Sequence, residues 1–244
     1  MATADGGLLE AVRKGLSTAG NPAKATEMQQ YMKSAMPFHG VQRAQLRALC
    51  RELFASHPLP DRATFVATTL ALWREATHRE ERYVAIELTG DRRYGECQTP
   101  ALVTELYEEL VVTGAWWDLV DDIAIRRIGP ILRTAPAEVT PLMRAWATDD
   151  DLWKRRSAVI CQIGSKEQTD RDLLTYVVDR TAADEDFFLR KAIGWALREY
   201  GKRAPTWVRA FVSHRESTLS ELSQREALKH IDEGISPPRR WAPR

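Results

Sequence analysis

Phe187-Phe188-Leu189-Arg190-Lys191-Ala192-Ile193-Gly194-Trp195-Ala196-Leu197-Arg198-Glu199-Tyr200 is the stretch that decides the fold. Its apolar residues recur at three-to-four spacing, the period of a helix with one buried face. Ala192 lies near its middle, and alanine recurs along the chain at Ala48, Ala85, Ala124, Ala158, Ala192 and Ala227, at intervals of 37, 39, 34, 34 and 35 residues. The contexts are alike, as in Arg47-Ala48-Leu49, Ser157-Ala158-Val159, Lys191-Ala192-Ile193 and Glu226-Ala227-Leu228. A period of this length is that of a helix pair, and a small residue lets the second helix of each pair approach its neighbours closely.

The sequence therefore predicts an all-α protein, an α-solenoid of HEAT-like helical repeats whose inner helices line a concave groove able to follow an extended partner. Glycine and proline sit mostly between the periodic segments, and alternating strand-like runs of useful length are absent. Helices are expected over 8–19, 25–36, 42–56, 62–75, 80–90, 101–112, 116–128, 139–147, 152–163, 171–182, 187–200, 206–214 and 219–231. They form one domain, 1–235, followed by the proline-broken basic tail 236–244, which is expected to be extended.

At 244 residues, with 44% apolar and 28% charged content, the composition is that of a soluble globular protein. No run approaches the roughly 20 apolar residues of a membrane span, and the first residues lack the order of a secretory signal, so the expected location is the cytoplasm. Cys50, Cys97 and Cys161 cannot all pair and show no CxxC spacing, which points to ordinary thiols. His39, His57, His78, His214 and His230 are scattered and suggest no triad and no metal centre. Net charge is +1 overall, but residues 1–122 carry 13 Lys+Arg against 17 Asp+Glu and the remainder 22 against 17, giving −4 and +5. A basic face in the second half and a solvated mixed-charge surface both fit that asymmetry.

Chemistry concentrates in Gly114-Ala115-Trp116-Trp117-Asp118-Leu119-Val120-Asp121-Asp122. Trp117 and Asp121 are four apart and share a helix face, where an indole beside a carboxylate suits a cationic, partly apolar ligand. Asp121, Arg156 and Lys191 follow one another at 35 residues, so the repeat places them at matching heights on successive inner helices. Trp153 precedes Arg156 by three residues and Trp195 follows Lys191 by four. The fork of Arg156 suits a phosphodiester, and Lys154, Arg155, Arg190 and Lys191 widen the cationic surface. Trp116 is read as core, since one face cannot present two adjacent indoles, and Asp118 as an acid of the first helical turn. Asp122 is assigned to a surface pair with Arg126. Helical spacing fans Asp118, Asp121 and Asp122 around the axis, which argues against a Mg²⁺ site.

The blocks Trp116–Asp121, Trp153-Lys154-Arg155-Arg156 and Phe187–Tyr200 resemble the AlkD family of bacterial DNA alkylation repair glycosylases. Tyr31-Met32-Lys33 followed by Pro37-Phe38-His39-Gly40-Val41 is similar to that family's first repeat. The resemblance implies a monomeric, cofactor-free enzyme that acts on double-stranded DNA containing alkylated purines. It puts the catalytic acid on Asp121, flanking aromatics on Trp117 and Trp195, and a backbone-contacting arginine on Arg156, with Tyr31 a candidate contact on the lesion side. It further implies a grip on the backbone that leaves the modified base unflipped, so that bulky adducts are tolerated. The chain is more basic before Arg156 than the family form and carries Arg190 where an uncharged polar residue is expected, changes that bear on lesion preference and DNA affinity. Without the resemblance, Asp121 reads equally as the structural ion-pair partner of Arg156. The alternative function is then a non-catalytic HEAT-like scaffold that binds DNA or protein through its concave face.

Overall fold

A computed structural model of the chain describes residues 3–229 and 231; the basic tail expected over 236–244 lies outside the described residues. Among those residues the chain is all-helical, with no β-strand, and has the HEAT-like repeat architecture. No helix among them is long and apolar enough to cross a membrane. The contacts divide the chain into two units, Met1–Leu106 and Tyr107–Arg244.

The amino-terminal unit contains α1 (Gly6–Ala19), α2 (Pro22–Met32), α3 (Arg43–Ser56), α4 (Arg62–Arg74), α5 (Arg79–Thr89) and a 3₁₀ turn at Arg92–Cys97. Side-chain acceptors start several of these helices: Asp5 accepts from the Leu8 N–H, Asn21 from Ala23 and Lys24, and Asp61 from Thr64. α2 stops at Lys33, which turns into the left-handed region (φ 49°), so the helix ends short of the expected 36. Leu8, Leu16, Leu46, Phe65, Trp73 and Leu88 are buried and form the core. Ala48 departs from the expected pattern: it is exposed, whereas the other five anchor alanines are buried.

One buried acid organises this unit. Glu80 on α5 is fully enclosed, and its carboxylate accepts the backbone N–H groups of His39 (3.0 Å), Gly40 (2.8 Å) and Val41 (3.1 Å). The loop between α2 and α3 thus has its orphan donors satisfied by α5.

The carboxy-terminal unit contains α6 (Glu108–Gly114), α7 (Trp117–Ile123), α8 (Gly129–Thr134), α9 (Pro136–Trp146), α10 (Leu152–Ile160), α11 (Arg171–Thr181), α12 (Phe187–Gly201), α13 (Pro205–Ser213) and α14 (Glu221–Leu228). Helices α7, α10, α12 and α14 touch in succession, as the second members of consecutive pairs should. The helix expected over 116–128 instead runs on through a π-helical stretch, Ala124–Ile128, into α8. Pro130 supplies the reason: it has no N–H to donate into the preceding turn, and the register widens just before it.

Two glycines set how closely the helices stack. A methyl group on Gly129 would lie 2.4 Å from the carbonyl oxygen of Cys161, and one on Gly194 would lie 2.5 Å from Cβ of Glu226 and 2.9 Å from the carbonyl oxygen of Ser223. Only glycine permits α8 to reach the end of α10, and α12 to reach α14, at these distances.

Candidate active site

The site lies in the carboxy-terminal unit and begins with the start of α7. Ala115 is left-handed (φ 43°) and ends α6; Trp116 is extended, and Trp117 is the first residue of α7. Both indoles are half-buried. The Trp116 ring packs edge-on to Phe188 at 5.3 Å between centroids and tilted to Trp153 at 6.3 Å, while Phe187 lies edge-on to Phe188 at 5.6 Å. Trp116 packs in this cluster yet is only half-buried, so the core position read for it is not realised. Trp117 is half-buried, one helical turn before Asp121.

Asp121 and Arg156 meet directly. Arg156 donates from Nε to Oδ1 of Asp121 at 2.7 Å and from Nη2 to Oδ2 at 2.8 Å, a two-pronged pair between α7 and α10. Nη1 of Arg156 donates to the carbonyl oxygen of Phe188 at the start of α12. The guanidinium thus joins α7, α10 and α12. Its side chain is 6% exposed and that of Asp121 14%. The fork faces Asp121, as the ion-pair reading of the 35-residue register anticipated. In this structure the guanidinium fixes the orientation of the Asp121 carboxylate.

Burial pushes the Asp121 carboxyl above the usual carboxylate range. The fork of Arg156 opposes that shift, and the charges of Asp118 and Asp122 add to it. Both Asp121 oxygens accept N–H donors, which is the geometry of an ionised carboxylate. Asp118 sits in the first turn of α7 and Asp122 pairs with Arg126 at 3.2 Å, as their spacing indicated.

The remaining candidate cations are engaged to different degrees. Lys154 is held by Glu108 at 2.7 Å and Asp149 at 2.6 Å, and Arg155 by Asp184 and the carbonyl oxygens of Asp149 and Asp150. Both tie α10 to its surroundings. Lys191 pairs with Glu226 at 2.9 Å and remains 39% exposed. That pair repeats the register of the first, since Asp121 to Arg156 and Lys191 to Glu226 each span 35 residues. The acid at Glu226 escaped the sequence reading although it continues the same series. Arg190 is half-buried, with an Nε that makes no hydrogen bond among the described residues. Trp195 is half-buried on α12, and Phe187 is 53% exposed at its start. Tyr31, in the amino-terminal unit, is 74% exposed in the last turn of α2.

Sequence reasoning also missed His39 and His78 as neighbours. Thirty-nine residues apart in the chain, they stack with ring centroids 3.7 Å apart in the amino-terminal unit. Their separation carries no motif that could have revealed this.

Comparison with known proteins follows the same lines. A family model described as "DNA alkylation repair enzyme" matches residues 12–231. A solved structure described as a predicted DNA alkylation repair enzyme from Enterococcus faecalis is similar over 86% of this chain and 96% of its own, at 32% identity and a TM-score of 0.69. No curated protein matches the chain. The extent of the family match and the identity to a structure so fully covered show that the chain belongs to the DNA alkylation repair enzyme family.

Proposed function

We propose that the protein is a DNA glycosylase that hydrolyses the N-glycosidic bond of cationic N3- or N7-alkylated purines in duplex DNA and leaves an abasic site. Family membership gives the coarser part of this, a DNA-binding enzyme of alkylation repair. The observation that carries the finer part is the Asp121 carboxylate, fixed by Arg156, still partly open to solvent, and one turn from the half-buried Trp117.

Alkylation gives the purine a formal positive charge, so the base departs with the electron pair of the C1′–N bond and needs no proton. Positive charge passes to the deoxyribose as an oxocarbenium-like species. A carboxylate held without rotational freedom stabilises that charge, orients water towards C1′ and accepts the proton that water loses as the new C–O bond forms. Trp117 and Trp195 offer ring faces to the cationic sugar, worth about 0.5–2 kcal/mol per contact. Arg156 acts through Asp121, and the phosphate grip falls to the more open Lys191 and to Arg190.

The test is incubation of the purified protein with duplex DNA carrying methylated purines or a bulky N3-alkyladenine, with every liberated base identified by mass. Release of 7-methylguanine or 3-methyladenine is expected. Release of the bulky base alone would indicate a glycosylase specialised for large adducts. DNA binding without release of any purine would favour the non-catalytic scaffold.

A further inference from the structure

We propose that His39, His78 and Glu81 in the amino-terminal unit form a binding site for a divalent transition-metal ion of the Zn²⁺ type. One ligand atom from each of the three lies within 4.8 Å of the others. Two imidazoles and a carboxylate are a donor set that zinc accepts, with water completing a tetrahedral shell.

His78 and Glu81 have side-chain hydrogen bonds of their own, and His39 is held through the backbone of its loop. His39 sits on the loop whose backbone N–H groups are gathered by Glu80. Gly40, next in that loop, has φ +86°, and a Cβ there would fall 2.0 Å from the carbonyl oxygen of Asn21, so the loop has little freedom to move. His78 precedes α5, and Glu81 lies in its first turn, where Oε1 accepts the N–H of His78 at 3.1 Å and the hydroxyl of Thr77 at 2.9 Å. His78 Nδ1 lies 3.0 Å from Thr77 Oγ1 and 3.8 Å from Oε1 of Glu81. Glu81 is almost wholly buried and its second oxygen, Oε2, has Arg13 Nε at 3.7 Å as a neighbour of opposite charge among the described residues, which leaves lone pairs on it.

The rings of His39 and His78 are nearly parallel, 14° apart. Donors about a tetrahedral zinc lie about 3.4 Å from one another, given bonds of about 2.0–2.1 Å. Binding therefore tilts the imidazoles out of their stack so that both lone pairs converge, a side-chain rotation that leaves the backbone where Glu80 holds it. The ion would clamp the loop after α2 to the start of α5 and stabilise the folded state by mass action.

The experiment is calorimetric titration of the full chain with ZnCl₂, alongside ¹H NMR of the histidine ring protons. One-to-one binding is expected, with loss of about tenfold or more in affinity in His39→Ala and in His78→Ala. Glu81→Gln, which keeps the oxygen that caps α5, should show a smaller loss, and His57→Ala none. In the unmodified protein Zn²⁺ should shift two histidine ring signals and raise the melting temperature, a readout that does not depend on the variants folding. Absence of saturable binding below about 100 µM, affinity in either histidine variant equal to that of the unmodified protein, or shifts confined to other histidines would overturn the proposal.

Discussion

Glu80 in the amino-terminal unit and Asp121 in the carboxy-terminal unit are both largely enclosed acids, and they are used in opposite ways. Glu80 is fully buried and directs its oxygens to three backbone N–H groups, so its charge holds a loop in place. Asp121 has one guanidinium across both oxygens and keeps 14% of its side chain open. A carboxylate surrounded by backbone donors has no capacity left for a ligand, whereas one paired from a single side is rigid and still presents an unfilled edge. Burial alone does not mark a site; the direction from which the charge is satisfied does.

Substitutions should separate the two roles. Glu80→Ala leaves three loop donors without an acceptor, at about 1–3 kcal/mol each, so stability should fall by at least about 3 kcal/mol. Chemical denaturation measures this, and the rate of base release per folded molecule should be unchanged. Arg156→Lys keeps a positive charge but loses the fork, and the single-turnover rate should drop about 10²-fold through misplacement of Asp121, with DNA affinity much less affected. An equal loss in affinity would return Arg156 to the phosphate. Gly194→Ala forces α12 off α14 and should cost about 1–3 kcal/mol in a thermal melt. The smallest change is in pH dependence. Because burial raises the Asp121 carboxyl, activity should decline on acidification with a midpoint above the ordinary aspartate value of about 3.9, as the carboxylate takes up a proton and loses its charge. A rate that stays flat through that range would argue against an ionised acid in the chemical step.

The repeat was legible because it is written in one-dimensional spacing. Five of the six alanines are buried where helices meet, and the 35-residue step from Asp121 to Arg156 is realised as a direct pair. Ala48 failed because small size at helical spacing is compatible with an exposed face as well as a buried one. The helix past Ile128 was legible only in part: a proline after a glycine reads as a stop, yet here a widened turn absorbs it.

The direction of the Arg156 fork could not be read, since the spacing that brings a cation to a groove also brings it to an acid on the next helix. Lys154 and Arg155 show the same limit: their sequence context records charge and leaves out Glu108, Asp149 and Asp184, which engage them. The meeting of His39 and His78 depends on a loop folded over α5, a tertiary contact with no local signature.

The central claim is that the Asp121 carboxylate acts on the sugar at the moment the base leaves. Its most direct test is Asp121→Asn, which keeps the size of the side chain and one acceptor for Arg156, measured for binding to alkylated duplex DNA and for release of 7-methylguanine in a single turnover. Binding should remain within about threefold of the parent, a difference of under about 1 kcal/mol, while release slows by about 10²–10³-fold. Release at the parent rate from a folded Asp121→Asn protein would contradict the account.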